Sequence, residues 1–246
     1  MKKGRIIFTV LVMLIIIACF IFAKVFNDLK KENKIKSEIK EIVQVFGTEN
    51  IDDDDVNAII DRRIYTKGNY AKVEDAVKNY YKDLYSYQKN ITFLMDDENF
   101  INYLTVENIS SDGKDFLKSK SNLQTTKLQI NDKYQQFDQQ LNDDAVKISY
   151  IFDKKIDKYY QNLYLEFISQ YTPSNLTDDM KEKYDQSLKK IDLYNEAFDF
   201  LATNKDHWKT TGDVLTFDDT GLYEEYKKIT DQIDELTILK QQTSES

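Results

Sequence analysis

Between residues 69 and 95 the apolar side chains fall at Val73, Val77, Tyr80, Leu84, Tyr87, Ile91 and Leu94. The steps alternate four and three without a miss, which is the period of a helix with one buried face. The same rhythm predicts helices over 114–141 (Leu123, Ile130, Tyr134, Phe137, Leu141), 144–171 (Ile148, Phe152, Ile156, Tyr159, Leu163, Phe167), 177–203 (Met180, Tyr184, Ile191, Tyr194, Phe198, Leu201) and 221–241 (Leu222, Tyr226, Ile229, Ile233, Leu236). Lys120 and Lys127 interrupt the first half of the second of these, so that half is read as partly exposed. A shorter run over 25–46 carries Ile35, Ile39, Val43 and Phe46. A brief amphipathic piece with Phe100, Ile101 and Leu104 begins at Asp96 or Asp97, and Asn108 to Gly113 reads as a turn.

The punctuation is sparse: Gly47, Gly68, Gly113, Pro173, Gly212 and Gly221 are the breakers past residue 24. Few glycines and one proline favour long helices over a many-turned sheet. Asn142-Asp143-Asp144 is a tight reversal, which makes the helices on either side antiparallel neighbours. Pro173 ends a helix because the residue before a proline is pushed out of helical backbone. The rhythm fails over 204–219, where β-branched residues flank Gly212-Asp213; this reads as a small hairpin packing through Trp208, Leu215 and Phe217. Asp219 or Thr220 then caps the last helix. The fold class expected is all-α: an elongated antiparallel helical bundle with a small β-hairpin near residues 208–217, preceded by one N-terminal transmembrane helix.

That last expectation rests on Ile6 to Ala23, eighteen residues without a charge behind Met1-Lys2-Lys3-Gly4-Arg5. In helix they span about 27 Å, close to a bilayer core of about 30 Å. The expected organisation is a short basic cytoplasmic tail (1–5), a transmembrane anchor (6–23), a helical stalk (24–47), a helical-bundle domain (48–241) and a frayed tail (242–246). Ile16-Ile17-Ala18-Cys19 resembles the bacterial lipobox. The resemblance implies that Cys19 is a lipidation site, although Phe20-Ile21-Phe22 stays apolar where small or polar residues usually follow. Cleavage as a signal peptide is a third outcome, with no A-x-A site to serve it. Lysines 24, 30, 31, 34, 36 and 40 outnumber the basic residues before the block, which favours a cytosolic C-terminal part. A lone N-terminal apolar segment favours export, and the expectation adopted is a single-pass cell-membrane protein with an extracytoplasmic C-terminal domain.

Charge narrows the function. The net charge is −9, and residues 25–246 carry 30 basic against 43 acidic residues. Such a surface repels nucleic acid, so no nucleic-acid partner is expected. Cys19 is the single cysteine, so no disulfide and no cysteine-based zinc site is expected. Asp52 to Asp55 invites calcium, but from Asp53 the sixth residue is Ala58 and the twelfth Ile64, which breaks the EF-hand pattern. His207 is the one histidine, and no serine stands in a strained elbow beside it in sequence. Phe217-Asp218-Asp219 lacks the one-residue spacing of the haloacid dehalogenase nucleophile motif and reads as a cap. No catalytic, cofactor-binding or metal residue is therefore assigned, and no cofactor. Off-seam tyrosines Tyr81, Tyr85 and Tyr160 are the candidate interaction surface; abundant Tyr, Lys and Asn also fit the codon bias of an AT-rich bacterial genome. The function expected is a membrane-anchored, non-catalytic binding or scaffolding role toward an unknown protein or cell-wall partner. A cell-wall hydrolase using paired carboxylates and a cytosol-facing regulatory bundle are the alternatives.

Overall fold

A computed structural model of the chain describes the backbone of residues 2–46, 53–152 and 154–244, and side chains within 13–44, 56, 58–152 and 154–237. The elements are α1 (Lys2–Phe46), α2 (Asp53–Ile60), α3 (Asn69–Leu94), a 3-10 turn (Asp97–Asn99), α4 (Val106–Asp112), α5 (Leu117–Asn142), α6 (Asp144–Phe152), α7 (Lys158–Tyr171), α8 (Leu176–Thr203), β1 (Trp208–Thr211), β2 (Val214–Phe217) and α9 (Thr220–Ser244). The protein is mostly helical, with one antiparallel two-stranded hairpin among the described residues. Two compact units make up the chain: residues 1–82 with 144–172, and residues 83–143 with 173–246. The division falls inside α3, so residues 48–241, expected as one helical-bundle domain, contribute to both units.

In the first unit the predicted stalk is part of the core. Ile35, Ile39 and Ile42 of α1 are buried, because α1 packs on α2 and α7 rather than projecting as a spacer. Contacts set its direction. Glu32 meets Tyr70 and Tyr159, while further on Lys36 meets Phe167 and Glu38 meets Lys78. The residue numbers rise together, so α1, α3 and α7 run parallel, against the all-antiparallel expectation. The helix expected over 144–171 is broken. It ends at Phe152 and restarts at Lys158, with Lys155 in left-handed backbone (φ 48°). Phe152 and Tyr159, placed on the seam by spacing, flank the break and are exposed, while Ile156, Leu163 and Phe167 of the same spacing are buried, as is Tyr164.

The second unit follows the up-and-down pattern. Ion pairs Lys120–Asp199 and Lys127–Asp192 (both 2.5 Å) and the stacked Tyr134–Tyr184 rings (centroids 4.0 Å apart) set α5 antiparallel to α8. The turn expected over Asn108 to Gly113 falls largely within a helix, α4 (Val106–Asp112). Asp112 at its end accepts from the Lys118 and Ser119 amides (3.0 and 2.7 Å) and so caps α5, while Phe116 bends in left-handed backbone to lie buried. Burial opposes ionisation of Asp112, but the Ser119 hydroxyl and these amides outweigh it and hold the carboxyl below its ordinary range. The hairpin sits where the residues predict, with Trp208 paired to Phe217 and Gly212 at φ 58° in the turn. Trp208 donates its indole N–H to the Leu201 carbonyl (2.7 Å) and stacks on Phe116. Leu222 N–H donates to Asp219 Oδ1 (3.1 Å), so of the two caps expected, Asp219 and Thr220, it is Asp219 that caps α9, which runs on to Ser244. Helix therefore covers 242–244, placed in the tail from sequence, and residues 245–246 lie outside the described residues.

Among the described residues no helix is long and apolar enough to cross a membrane. The side chains of Ile6 to Val12, the first part of the predicted anchor, lie outside them, as do those of the Asp52–Asp55 acidic run.

Candidate functional site

Two places stand out, both in the first unit. One is a buried charge cluster between α1 and α3. Glu74 is fully buried, and its carboxylate accepts from the Tyr65 amide (2.8 Å), the Thr66 amide (2.9 Å) and the Thr66 hydroxyl (2.6 Å). One turn along α3, buried Lys78 lies 3.2 Å from both Glu74 and Glu38, and donates to the Arg62 carbonyl (3.0 Å). One ammonium thus serves two carboxylates. Burial, with the Glu74 charge beside it, pushes Glu38 above the ordinary carboxyl range. Burial also opposes ionisation of Glu74, but its three hydrogen bonds from Tyr65 and Thr66 overcome that and hold it low. Divergent carboxyls of this kind are how an acid and a base share a site. Here the Glu74 and Lys78 side chains are 1% and 8% exposed, and the cluster ties three segments together rather than facing a cleft.

Sequence reading passed over Glu74 and Lys78, since an i,i+4 pair of opposite charge usually lies on a solvated face. The available signal was a second stripe, Glu74-Lys78-Tyr81-Tyr85, running one residue behind the main seam. Both stripes are covered because α3 packs against α1 on one side and against α6 and the end of α7 on another: Tyr80 meets Tyr150 edge-on, and Tyr81 lies 3.4 Å from the Thr172 hydroxyl.

That packing corrects Tyr81, expected on the surface and found 0% exposed, its hydroxyl pKa raised by burial. Tyr85 and Tyr160 are half-buried, and they belong to different units. Cys19 is exposed on α1. His207 Nδ1 lies 3.2 Å from Asp218 Oδ1 with both side chains exposed, and no hydroxyl or thiol hydrogen-bonds the imidazole among the described residues. Among the described residues no group of three or more His, Cys, Asp or Glu is placed to hold a metal ion. An open recess of about 320 Å³ in the second unit is lined by Asn102, Thr105, Glu107, Asn108 and Ser111. It lacks an apolar wall, and the Asn108 amide group is already used on the Tyr103 carbonyl and Ser119 hydroxyl.

The other place is the N-terminal half of α1. From Met13 to Leu29 eleven large apolar side chains are exposed, on every side of the helix. Three residues beyond Leu29, Glu32 accepts from the hydroxyls of Tyr70 (3.1 Å) and Tyr159 (2.8 Å). Lys31 lies over the Tyr70 ring and Lys34 over the Tyr65 ring, at 5.0 and 4.1 Å. A single helix therefore passes from bare hydrocarbon to a packed core within six residues.

No protein-family model, curated protein or solved structure matches the chain.

Proposed function

We propose that this chain is a membrane-anchored, extracytoplasmic protein with a non-catalytic binding or scaffolding role, held by a transmembrane helix in the N-terminal half of α1. The observation that carries the reading is the exposed run from Met13 to Leu29. Leaving eleven large apolar side chains in water costs on the order of 20 kcal/mol relative to burying them. A one-sided stripe would fit a groove on a partner; an all-round apolar surface fits lipid. The continuity of α1 into the first unit then fixes that unit to the bilayer. The second unit, with 15 basic against 27 acidic residues, presents an acidic surface to an unidentified protein or cell-wall polymer, with Tyr85 as an aromatic contact. The hydrolase alternative has its best carboxylate pair in Glu38 and Glu74, and their burial works against it.

The test is fractionation of cells expressing the full chain. The reading expects it in membranes after alkaline carbonate extraction, and released to the soluble fraction when residues 6–23 are deleted. A full chain that is soluble without detergent overturns it. Protease shaving of intact cells decides orientation, since cleavage supports the extracytoplasmic placement and protection reverses it.

A further inference from the structure

The first unit ends, on the side where α1 emerges, in a collar of aromatic and basic side chains. We infer that this collar rests on the bilayer surface and binds anionic lipid headgroups, so that the first unit sits on the membrane rather than above it. The inference rests on the membrane-anchor reading and adds a contact that the anchor alone does not require.

The geometry comes from Glu32. It lies three residues past Leu29, the last exposed large apolar residue of the run, or about 4.5 Å along a helix axis. Its carboxylate holds the hydroxyls of Tyr70 and Tyr159, which begin α3 and α7. Since α1, α3 and α7 run parallel, the starts of α3 and α7 face the same way as the apolar half of α1. Tyr160 meets both Tyr70 and Tyr159 edge-on, each at 5.1 Å between centroids, which makes the ring of tyrosines one packed piece. α6 runs the other way: its Tyr150 meets Tyr80, while Lys154, just past its end, donates to Asp75. Its last residue, Phe152, is thereby brought toward the collar with 68% of its surface exposed. Tyr65 and Tyr159 remain 49% and 56% exposed.

Tyrosine and phenylalanine at this level suit the headgroup layer, where a ring meets acyl chains and a hydroxyl meets water. Charge identifies the lipid. Lys31 and Lys34 lie over the Tyr70 and Tyr65 rings, and Lys30, Lys67, Lys155 and Lys158 lie within three residues of Lys31, Tyr65, Phe152 and Tyr159 in sequence, against Asp28, Glu32, Asp153 and Asp157. Lys30, Lys67, Lys155 and Lys158 have no ion-pair partner among the described residues. Each lysine near an anionic surface strengthens association about fivefold, and the first unit, with 19 basic against 16 acidic residues, carries the charge opposite to such a surface, while the chain's excess of acid lies in the second.

The experiment uses the full chain in the Cys19→Ser background, reconstituted in zwitterionic vesicles with and without anionic phosphatidylglycerol. An environment-sensitive fluorophore is attached through Lys158→Cys at the collar or, as a control further along α3, through Lys82→Cys. Quenching by headgroup-labelled lipid is expected to be at least about twofold stronger at position 158 than at 82 with phosphatidylglycerol present, and to fall toward parity in high salt. Adding Lys67→Glu and Lys155→Glu is expected to remove the dependence on phosphatidylglycerol while the chain still floats with vesicles. Equal quenching at the two positions, with flotation intact, overturns the collar and leaves the anchor standing. Failure to float with either vesicle overturns the anchor reading and the collar with it.

Discussion

Among the described residues each unit buries one lysine, and the two are solved differently. Lys78 in the first unit sits among two carboxylates, Glu38 and Glu74, both largely shut off from water. Lys190 in the second unit pairs with a single carboxylate, Asp97, whose side chain still reaches solvent, and donates to the Thr237 hydroxyl (3.1 Å). The second cluster is balanced. The first carries one negative charge too many when both glutamates are ionised, and burial beside the Glu74 charge pushes Glu38 up while hydrogen bonds from Thr66 and Tyr65 hold Glu74 low. A buried charge is tolerated according to what else is buried with it, not according to the residue type.

The largest expected effect breaks that contrast at its centre. Lys78→Met leaves two facing carboxylates without a cation and is expected to cost about 3–5 kcal/mol, read by hydrogen exchange of α3 amides between 70 and 82. Lys190→Met strands one carboxylate that water can reach, and about 1–3 kcal/mol is expected from the lost charged hydrogen bonds. Trp208, the single tryptophan, lies in the same unit, and its fluorescence reports the shift. If the two substitutions cost the same, the difference in burial has no energetic meaning.

Glu38→Gln sharpens the comparison further. Because the folded-state pKa of Glu38 is raised, the unfolded chain loses its proton first as pH climbs. Its contribution to stability is full below the ordinary carboxyl range and is lost as pH rises through the raised value. Glu74 acts in the opposite sense: its pKa is lowered, so its contribution is lost as pH falls below the ordinary range. The first unit should be most stable at mildly acidic pH, and Glu38→Gln should flatten the decline above it, gaining on the order of 1 kcal/mol at neutral pH. An unchanged pH profile by circular dichroism would remove Glu38 from the account. The smallest effect concerns Tyr164, whose buried hydroxyl lacks a hydrogen-bond partner among the described residues. Tyr164→Phe is expected to be neutral or stabilising by up to about 1 kcal/mol in thermal melts, and a clear loss would mean that the hydroxyl is satisfied.

The candidate site was only half legible in the residues. The apolar run on α1 announced itself as an unbroken hydrophobic block. The collar did not, because Tyr65, Tyr70, Tyr159 and the lysines around them come from separate stretches joined only by packing. Tyr81 and Tyr159 were read in reverse for two separate reasons. Tyr81 lies on a second covered stripe of α3, which one-seam periodicity leaves in solvent. Tyr159 stands at the start of α7, just past the end of the break, where its ring stays exposed while the later seam positions Leu163 and Phe167 are buried. Nothing in Asp153-Lys154-Lys155 breaks a helix by its own preference.

By itself, the order of residues determined the helical class, the hairpin around Gly212-Asp213, the cap at Asp219 and the ends of α3 and α8 to within a residue or two. These depend on neighbours a few positions apart, where periodicity, β-branching and capping chemistry act. Only the tertiary structure decided the two units, the parallel course of α1, α3 and α7, the burial of Glu38, Glu74 and Lys78, and the collar at Glu32. Each of those depends on which helix faces which, and the energy of a side chain on a shared face belongs to the pair of helices rather than to either sequence alone.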